Sequence, residues 1–296
     1  MKRNDVLAQL ALARRGGYAL GSFSPRNTVL ISAIVRAAEK MSSPVMVQMS
    51  SNEMLWFTVK PGDFAEAFRR STEGVQVPVI LHLDHTYDFE VIRQAVDAGF
   101  DSVMIDGSKL PFEENVALTR KVVAYAHDHD VAVEGELGNI GGTDKLETGG
   151  DSALFTVPEQ AQEFVERTGV DTLAVSVGTA HGIYHTDNPK IDFERLESIR
   201  DLIPETPLVL HGGSGLPMET VRRAIQLDGR GGIAKLNIAT DLELIFQRIL
   251  GISRIPNAQV VQLDPDRLQR ASDEVQAFVE NRMETFLFSA GKAFRN

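Results

Sequence analysis

Eight short apolar runs, alternating almost throughout with longer helical patterns, constrain this chain more than any other feature of its sequence. The strand candidates are Tyr18–Phe23, Val45–Met49, Val79–Leu83, Ser102–Ile105, Ala132–Glu136, Thr172–Val177, Leu208–His211 and Ile233–Asn237. Helix candidates Thr28–Met41, Asp88–Ala98, Pro111–His129, Pro158–Thr168, Phe193–Leu202 and Pro217–Leu227 lie between them, and Asp241–Leu250 follows the eighth run. Strands that alternate with helices pair in parallel, because each crossover returns the chain to the same end of the sheet. Eight such units are the number that closes into a (β/α)8 barrel. A doubly wound open sheet is the competing architecture, but no G-x-G-x-x-G follows the first run. With 296 residues, 43% of them hydrophobic, the chain can fill one core. No repeat, low-complexity tract or linker divides it. The expectation is an α/β fold: a single (β/α)8 TIM barrel domain over residues 1–296, with an N-terminal helix ending at Gly16–Gly17 and a C-terminal helical extension from about Asp266 to Phe286.

Charge and cysteine content narrow the chemistry. Thirty basic against 41 acidic residues give a net charge of −11, and the basic residues form no block. Nucleic acid and anionic membranes are therefore poor partners, although a locally positive site can still take an anionic substrate. The chain has no cysteine, so disulfides are excluded and any zinc site must use His, Asp or Glu. The N-terminal stretch "MKRNDVLAQLALARRGG" lacks a signal-like apolar core, and no run approaches the ~18 apolar residues of a membrane span. A soluble, cytoplasmic protein is expected.

In a β/α barrel the site lies at the C-terminal ends of the strands. Read in order, those ends carry Ser50, then Asp84 and His85, Asp106, Glu134 and Glu136, His181 and Gly182, His211 through Ser214, and Asn237 through Asp241. Three histidines on three strand ends, His85, His181 and His211, can converge on one zinc ion and leave a position open for substrate. Each taken alone could equally be a hydrogen-bonded core residue. The other histidines are weaker candidates: His82 lies deeper in its strand and reads as structural, His127 and His129 close a helix and read as solvent-exposed, and His185 lies past the "GTAHG" turn and is not counted among the ligands. Asp84, beside His85, reads as a proton-transfer group or as an orienting partner for a histidine. The phrases "HGGSG" and "NIATD" read as a phosphate cradle after strands seven and eight, or as plain turns in which Thr240 and Asp241 cap the next helix. The polar loop "GNIGGTDKLETGGD", residues 138–151, has the composition and length of a lid.

Together the phrases "SPVMVQMS", "LHLDH", "SVMIDGS", "VEGELGNIGG", "DTLAVSVGTAHGIY", "PLVLHGGSGLP" and "KLNIAT" resemble the class II, zinc-dependent bisphosphate aldolases, which include fructose- and tagatose-bisphosphate enzymes. "SAGKAF" is a fainter C-terminal match. The resemblance implies reversible cleavage of a ketose 1,6-bisphosphate or related ketose phosphate to dihydroxyacetone phosphate and an aldehyde such as glyceraldehyde 3-phosphate. It implies that His85, His181 and His211 hold the catalytic Zn2+, which polarises the carbonyl and stabilises the enediolate, with Asp84 as acid/base. It implies that Gly182, Gly212, Gly213, Ser214, Asn237, Ile238, Ala239 and Thr240 bind the dihydroxyacetone phosphate half. Ser50 matches a serine near the phosphate of the aldehyde half. Asp106 and Glu136 match ligands of a second metal found in some members. A monovalent cation, Na+ or K+, near the glycine loops and a homo-oligomer, dimer or tetramer, are further family features.

Three positions depart from the family pattern. Ser24 stands where the family often has Asn. Ala239 replaces an Asp found in many fructose-bisphosphate enzymes and resembles the tagatose type, whereas "HGGSG" resembles the fructose type. Asp144 falls where the mobile loop carries a catalytic Glu, with Glu147 three residues on as the alternative base. The alternatives to the leading expectation are an aldolase for another phosphorylated sugar or sugar acid, such as 6-phospho-5-dehydro-2-deoxygluconate, a barrel metallohydrolase, and a non-catalytic aldolase partner subunit. The hydrolases typically carry H-x-H on strand one, absent from "YALGSFSP". A partner subunit should have lost a ligand or Asp84, and all four residues are present.

Overall fold

The computed structural model describes residues 1–140, 154–182, 184, 186, 189–252 and 254–293. Eight parallel strands close into a barrel in sequence order: β1 (Leu20–Phe23), β2 (Val45–Ser50), β3 (Val79–Thr86), β4 (Ser102–Ile105), β5 (Ala132–Leu137), β6 (Thr172–Val175), β7 (Leu208–Leu210) and β8 (Ile233–Ile238), with β8 pairing back onto β1. The helices are α1 (Arg3–Gly16), α2 (Ile31–Met41), α3 (Ser51–Phe57), α4 (Pro61–Ser71), α5 (Phe89–Asp97), α6 (Phe112–Asp128), α7 (Pro158–Thr168), α8 (Phe193–Leu202), α9 (Met218–Gln226), α10 (Thr240–Leu250), α11 (Asn257–Val260) and α12 (Pro265–Asn281).

The expected barrel is therefore present, with strand ends moved by a few residues. His211 stands just past β7 instead of closing it, and Ser50 is the last residue of β2. The region after β2, where the sequence pattern gives no helix candidate, folds into two helices. Ser50 caps the first, its side chain accepting from the Glu53 N–H while Glu53 answers to the Ser50 N–H. Thr58, at positive φ, ends that helix, and Pro61 opens the next. The C-terminal extension is α12 followed by a π-helical turn, Arg282–Phe286. It packs chiefly on α2 and α10 and so braces the face that carries β1, β2 and β8.

Alternate residues of a strand point into the barrel, and here that inward set changes character along the axis. At the N-terminal end Leu20, Met46, Ile80 and Ala132 form a buried apolar layer closed by Val6, Leu10 and Ala13 of α1. One step up, β3 contributes His82, β5 Glu134 and β8 Lys235. Another step up, they contribute Asp84, Glu136 and Asn237. All six are buried. Burying so many polar groups is tolerable only if they satisfy one another, and it marks the upper end of the barrel as the end that carries function. The β3–β4 register shifts between Leu83 and Thr86, at the point where Asp84 and His85 leave the ladder.

Candidate active site

Three imidazoles meet at the C-terminal mouth of the barrel. His85 Nε2 lies 3.1 Å from His181 Nε2 and 2.7 Å from His211 Nδ1. Each ring is held from outside the cluster by its other nitrogen or its backbone surroundings. His85 Nδ1 pairs with Asp106 Oδ2 at 3.2 Å, and His211 Nε2 pairs with Glu134 Oε1 at 2.9 Å. A backbone hydrogen bond to Ile140 engages His181. A proton on the outward nitrogen donates to those acceptors, so the inward nitrogen presents a lone pair.

Electrostatics favour one positive charge at the centre. Burial opposes charge on all three rings. In His85 the carboxylates of Asp84, Asp106 and Glu136 overcome burial and raise the ring to about 10. Burial and the charge on His85 lower His181 to about 4 and push His211 well below the ordinary imidazole range. Three inward nitrogens, within 4.8 Å of one another and ringed by carboxylates, fit a divalent cation that takes the place of the proton on His85, with zinc as the cation suited to nitrogen ligands.

Asp84 flanks the cluster. Its Oδ1 accepts from Asn237 Nδ2 at 2.9 Å and its Oδ2 from Gln48 Nε2 at 3.0 Å. Burial pushes this carboxyl up, but His85, His211 and Lys235 outweigh it and hold the group below the usual range. Asp106 is tied to His85 and to the Ser108 N–H and hydroxyl, whereas Glu136 Oε2 is buried without a hydrogen-bond partner. Burial and the Asp106 charge raise Glu136 to about 8. Glu136 Oε2 lies 3.8 Å from His85 Nδ1, so Asp106 and Glu136 do converge beside the histidine cluster.

These groups open into a cleft of about 700 Å³. Ser50, Gly182, Gly212 and Gly213 line it, with Ser214, Asn237, Ala239 and Thr240 completing the wall from β7 and β8. Gly212 has φ +68°, and a Cβ there would stand 2.2 Å from the Ala180 carbonyl oxygen, so the turn requires glycine. Tyr184 joins the two loops, its hydroxyl donating to the Gly212 carbonyl and accepting from the Ala180 N–H, both at 2.9 Å. No side chain caps α10 from Ala239, and the Asp241 N–H meets Ser214 Oγ at 3.3 Å. Thr240 and Asp241 thus open the helix instead of capping it, and its N-terminus stands beside the cleft.

Ile238 is the one expected substrate residue whose side chain is not brought to this wall. It is buried in the layer between strands and helices, because it alternates with Asn237. Asp144, Glu147 and His185 lie outside the described residues. His82 is interior, as expected. His127 is not a free surface residue, since its Nε2 pairs with Asp171 at 2.9 Å, a carboxylate that Arg3 also holds.

The apolar-run reading missed one wall of the cleft. Arg26 is wedged between Glu53 and Glu243, with its guanidinium 3.0 Å from the latter, and Arg254 approaches Glu243 at 3.7 Å while stacking on Trp56. All five residues line the cleft. Arg26 has φ +61°, a rare conformation for a side chain of this size, held here by two carboxylates on different helices. The only sequence signal was an arginine at the end of the first strand, inside "SPRN". Lys235 was also missed, though a lysine within the apolar run "GIAKLNI" is legible as an anomaly.

Comparisons with known proteins agree with this fold. The family described as fructose-bisphosphate aldolase class-II matches residues 4–292. The fold is similar to the YdjI aldolase of Escherichia coli K12, with 31% identity, coverage of 98% of each chain and a TM-score of 0.82. It is similar to a candidate fructose-1,6-biphosphate aldolase from Coccidioides immitis, with 32% identity, coverage of 97% of each chain and a TM-score of 0.81. The fructose-bisphosphate aldolase of Campylobacter jejuni, 24% identical with a TM-score of 0.73 over 97% of this chain and 95% of that one, shares the fold. A (β/α)8 barrel with the fold of known aldolases, in a chain that the family matches almost from end to end, leads to one conclusion: the protein belongs to the class II fructose-bisphosphate aldolase family and is an aldolase, a carbon–carbon lyase.

Proposed function

We propose that the protein is a zinc-dependent aldolase that reversibly cleaves a ketose 1,6-bisphosphate or related ketose phosphate, of the fructose- or tagatose-bisphosphate type, to dihydroxyacetone phosphate and an aldehyde such as glyceraldehyde 3-phosphate. The observation that carries this reading is the convergence of His85, His181 and His211 with Asp84 at their side. His85, His181 and His211 would hold the zinc ion, which supplies Lewis-acid polarisation of the substrate carbonyl when bound. Asp84 accepts the proton of the hydroxyl next to the breaking bond and returns it in synthesis. Its hydrogen bonds from Asn237 and Gln48 fix where it stands, so little reorganisation accompanies the transfer. Gly182, Gly212, Gly213, Ser214, Asn237, Ala239 and Thr240 cradle the phosphate of the dihydroxyacetone half at the N-terminus of α10. Asp106 and Glu136 are the candidates for a second metal ion. Asp144 is the proposed loop base, with Glu147 as the alternative.

A second reading concerns the aldehyde half. Glu53 and Glu243 neutralise Arg26, and Ser50 is engaged in the cap of α3, which favours an aldehyde that carries hydroxyls and no phosphate. Retro-aldol rates on fructose and tagatose bisphosphates, their 1-phosphates, and 6-phospho-5-dehydro-2-deoxygluconate separate these readings. A kcat/KM highest for a bisphosphate supports the first. A higher value for a 1-phosphate supports the second. Absence of triose phosphate from every substrate, with zinc present, rejects both.

A further inference from the structure

Beneath the histidine cluster, inside the barrel, lies a buried ion pair that the catalytic steps above do not use. Lys235 Nζ donates to Glu134 Oε2 at 2.8 Å, and Glu134 Oε1 accepts from His211 Nε2 at 2.9 Å. The ammonium also lies 3.1 Å from His82 Nε2, and His82 Nδ1 lies 3.0 Å from Ser102 Oγ. An ammonium only donates, so His82 must accept through Nε2 and its proton must sit on Nδ1, toward Ser102. Lys235, Glu134, His82 and His211 are all fully or almost fully buried. The chain Lys235–Glu134–His211 therefore runs from β8 through β5 to the residue after β7, with no water-exposed member.

A lone buried ammonium is costly, and a core of this size could have filled the position with leucine. The arrangement has a directional consequence instead. Glu134 has one oxygen committed to Lys235 and the other to His211. With the first bond in place the carboxylate cannot rotate, so the second oxygen stays on Nε2 of His211. That contact fixes the proton of His211 on Nε2 and leaves Nδ1, 2.7 Å from His85 Nε2, as the nitrogen that faces the cluster.

We propose that Lys235 is a positioning residue for the metal ligand His211, acting through Glu134. The inference rests on the reading that His85, His181 and His211 hold zinc. It assigns the lysine no contact with substrate and no share in C–C cleavage.

Competitive zinc titration of the whole protein against a chromophoric chelator tests the assignment, with wild type, His211→Ala, Lys235→Met, Glu134→Gln and the Lys235→Met/Glu134→Gln double variant measured side by side. Methionine keeps the length and removes the donor. Lys235→Met should weaken zinc about 10–100-fold. The double variant should lose no more than the more affected single variant, because both substitutions break the same chain. The visible spectrum of the cobalt-loaded Lys235→Met protein should shift, which a change in stability alone would not produce. Zinc affinity within twofold of wild type in Lys235→Met, or strictly additive losses in the double variant, overturns the proposal. If Lys235→Met does not fold, Glu134→Gln decides alone, and wild-type zinc affinity there overturns it. Wild type that binds no zinc, or His211→Ala that binds it normally, rejects instead the three-histidine site on which the inference rests.

Discussion

Asp84→Ala will keep its metal ion and lose most C–C cleavage, by about 10²–10⁴-fold. The residue is placed for this outcome. It neighbours His85 in sequence, but its two oxygens are occupied by Asn237 and Gln48, not by the imidazoles. The three rings keep their outward partners Asp106, Glu134 and the backbone near Ile140 when Asp84 is truncated, so the inward nitrogens should stay in position. Enolisation of dihydroxyacetone phosphate, read as proton exchange with solvent, takes its proton at a different atom and should suffer less than cleavage. If cleavage and exchange fall together, and zinc content falls with them, Asp84 orients the cluster and is not the acid/base group.

His211→Ala will lose both zinc and activity, with cleavage reduced about 10³-fold or more, the scale of several kcal/mol of charge stabilisation. The side chain is fully buried and supplies one of the three inward nitrogens that converge among the described residues. Its removal also leaves one oxygen of Glu134 without a donor, although Lys235 still pairs with the other. The fold should survive, because the apolar floor closed by α1 and the ring of helices do not depend on this ring. Metal content after dialysis and retro-aldol rate are the two measurements. A variant that retains one zinc per chain and normal cleavage would move the site elsewhere. Among the described residues the two other candidate sets are His82, Asp84 and Glu134, and His85, Asp106 and Glu136.

The barrel was legible because its strands are buried on both faces and therefore read as short, mostly apolar runs, separated by patterns of helical length. The site was legible for a related reason. Residues at strand ends converge by topology, so His85, His181 and His211 could be brought together without knowing a single angle. What stayed hidden depends on neighbours distant in sequence. Arg26 looks like a turn residue until α3 and α10 deliver Glu53 and Glu243 to either side of it. The α3–α4 break after β2 turns on Thr58 adopting a left-handed backbone, for which threonine carries no local preference. The resemblance implies a place for Ile238 in the phosphate cradle with Asn237 and Ala239, and the alternation of β8, which sends its side chain into the outer core, leaves only its backbone for that role. Lys235 gave a signal in its own right, a charge inside a strand, but its partners Glu134 and His82 lie on β5 and β3 and become visible only when the sheet closes.

Release of dihydroxyacetone phosphate from fructose and tagatose bisphosphates and their 1-phosphates, measured before and after dialysis against a chelator and again after zinc is restored, tests the central claim most directly. The account predicts that cleavage disappears on chelation and returns with zinc. It also predicts that borohydride added with substrate leaves the protein active, since no lysine forms a covalent link to the ketose. Cleavage that survives chelation and is destroyed by borohydride would contradict the account. It would point to a lysine imine, with Lys109 on the wall of the cleft as the residue to inspect.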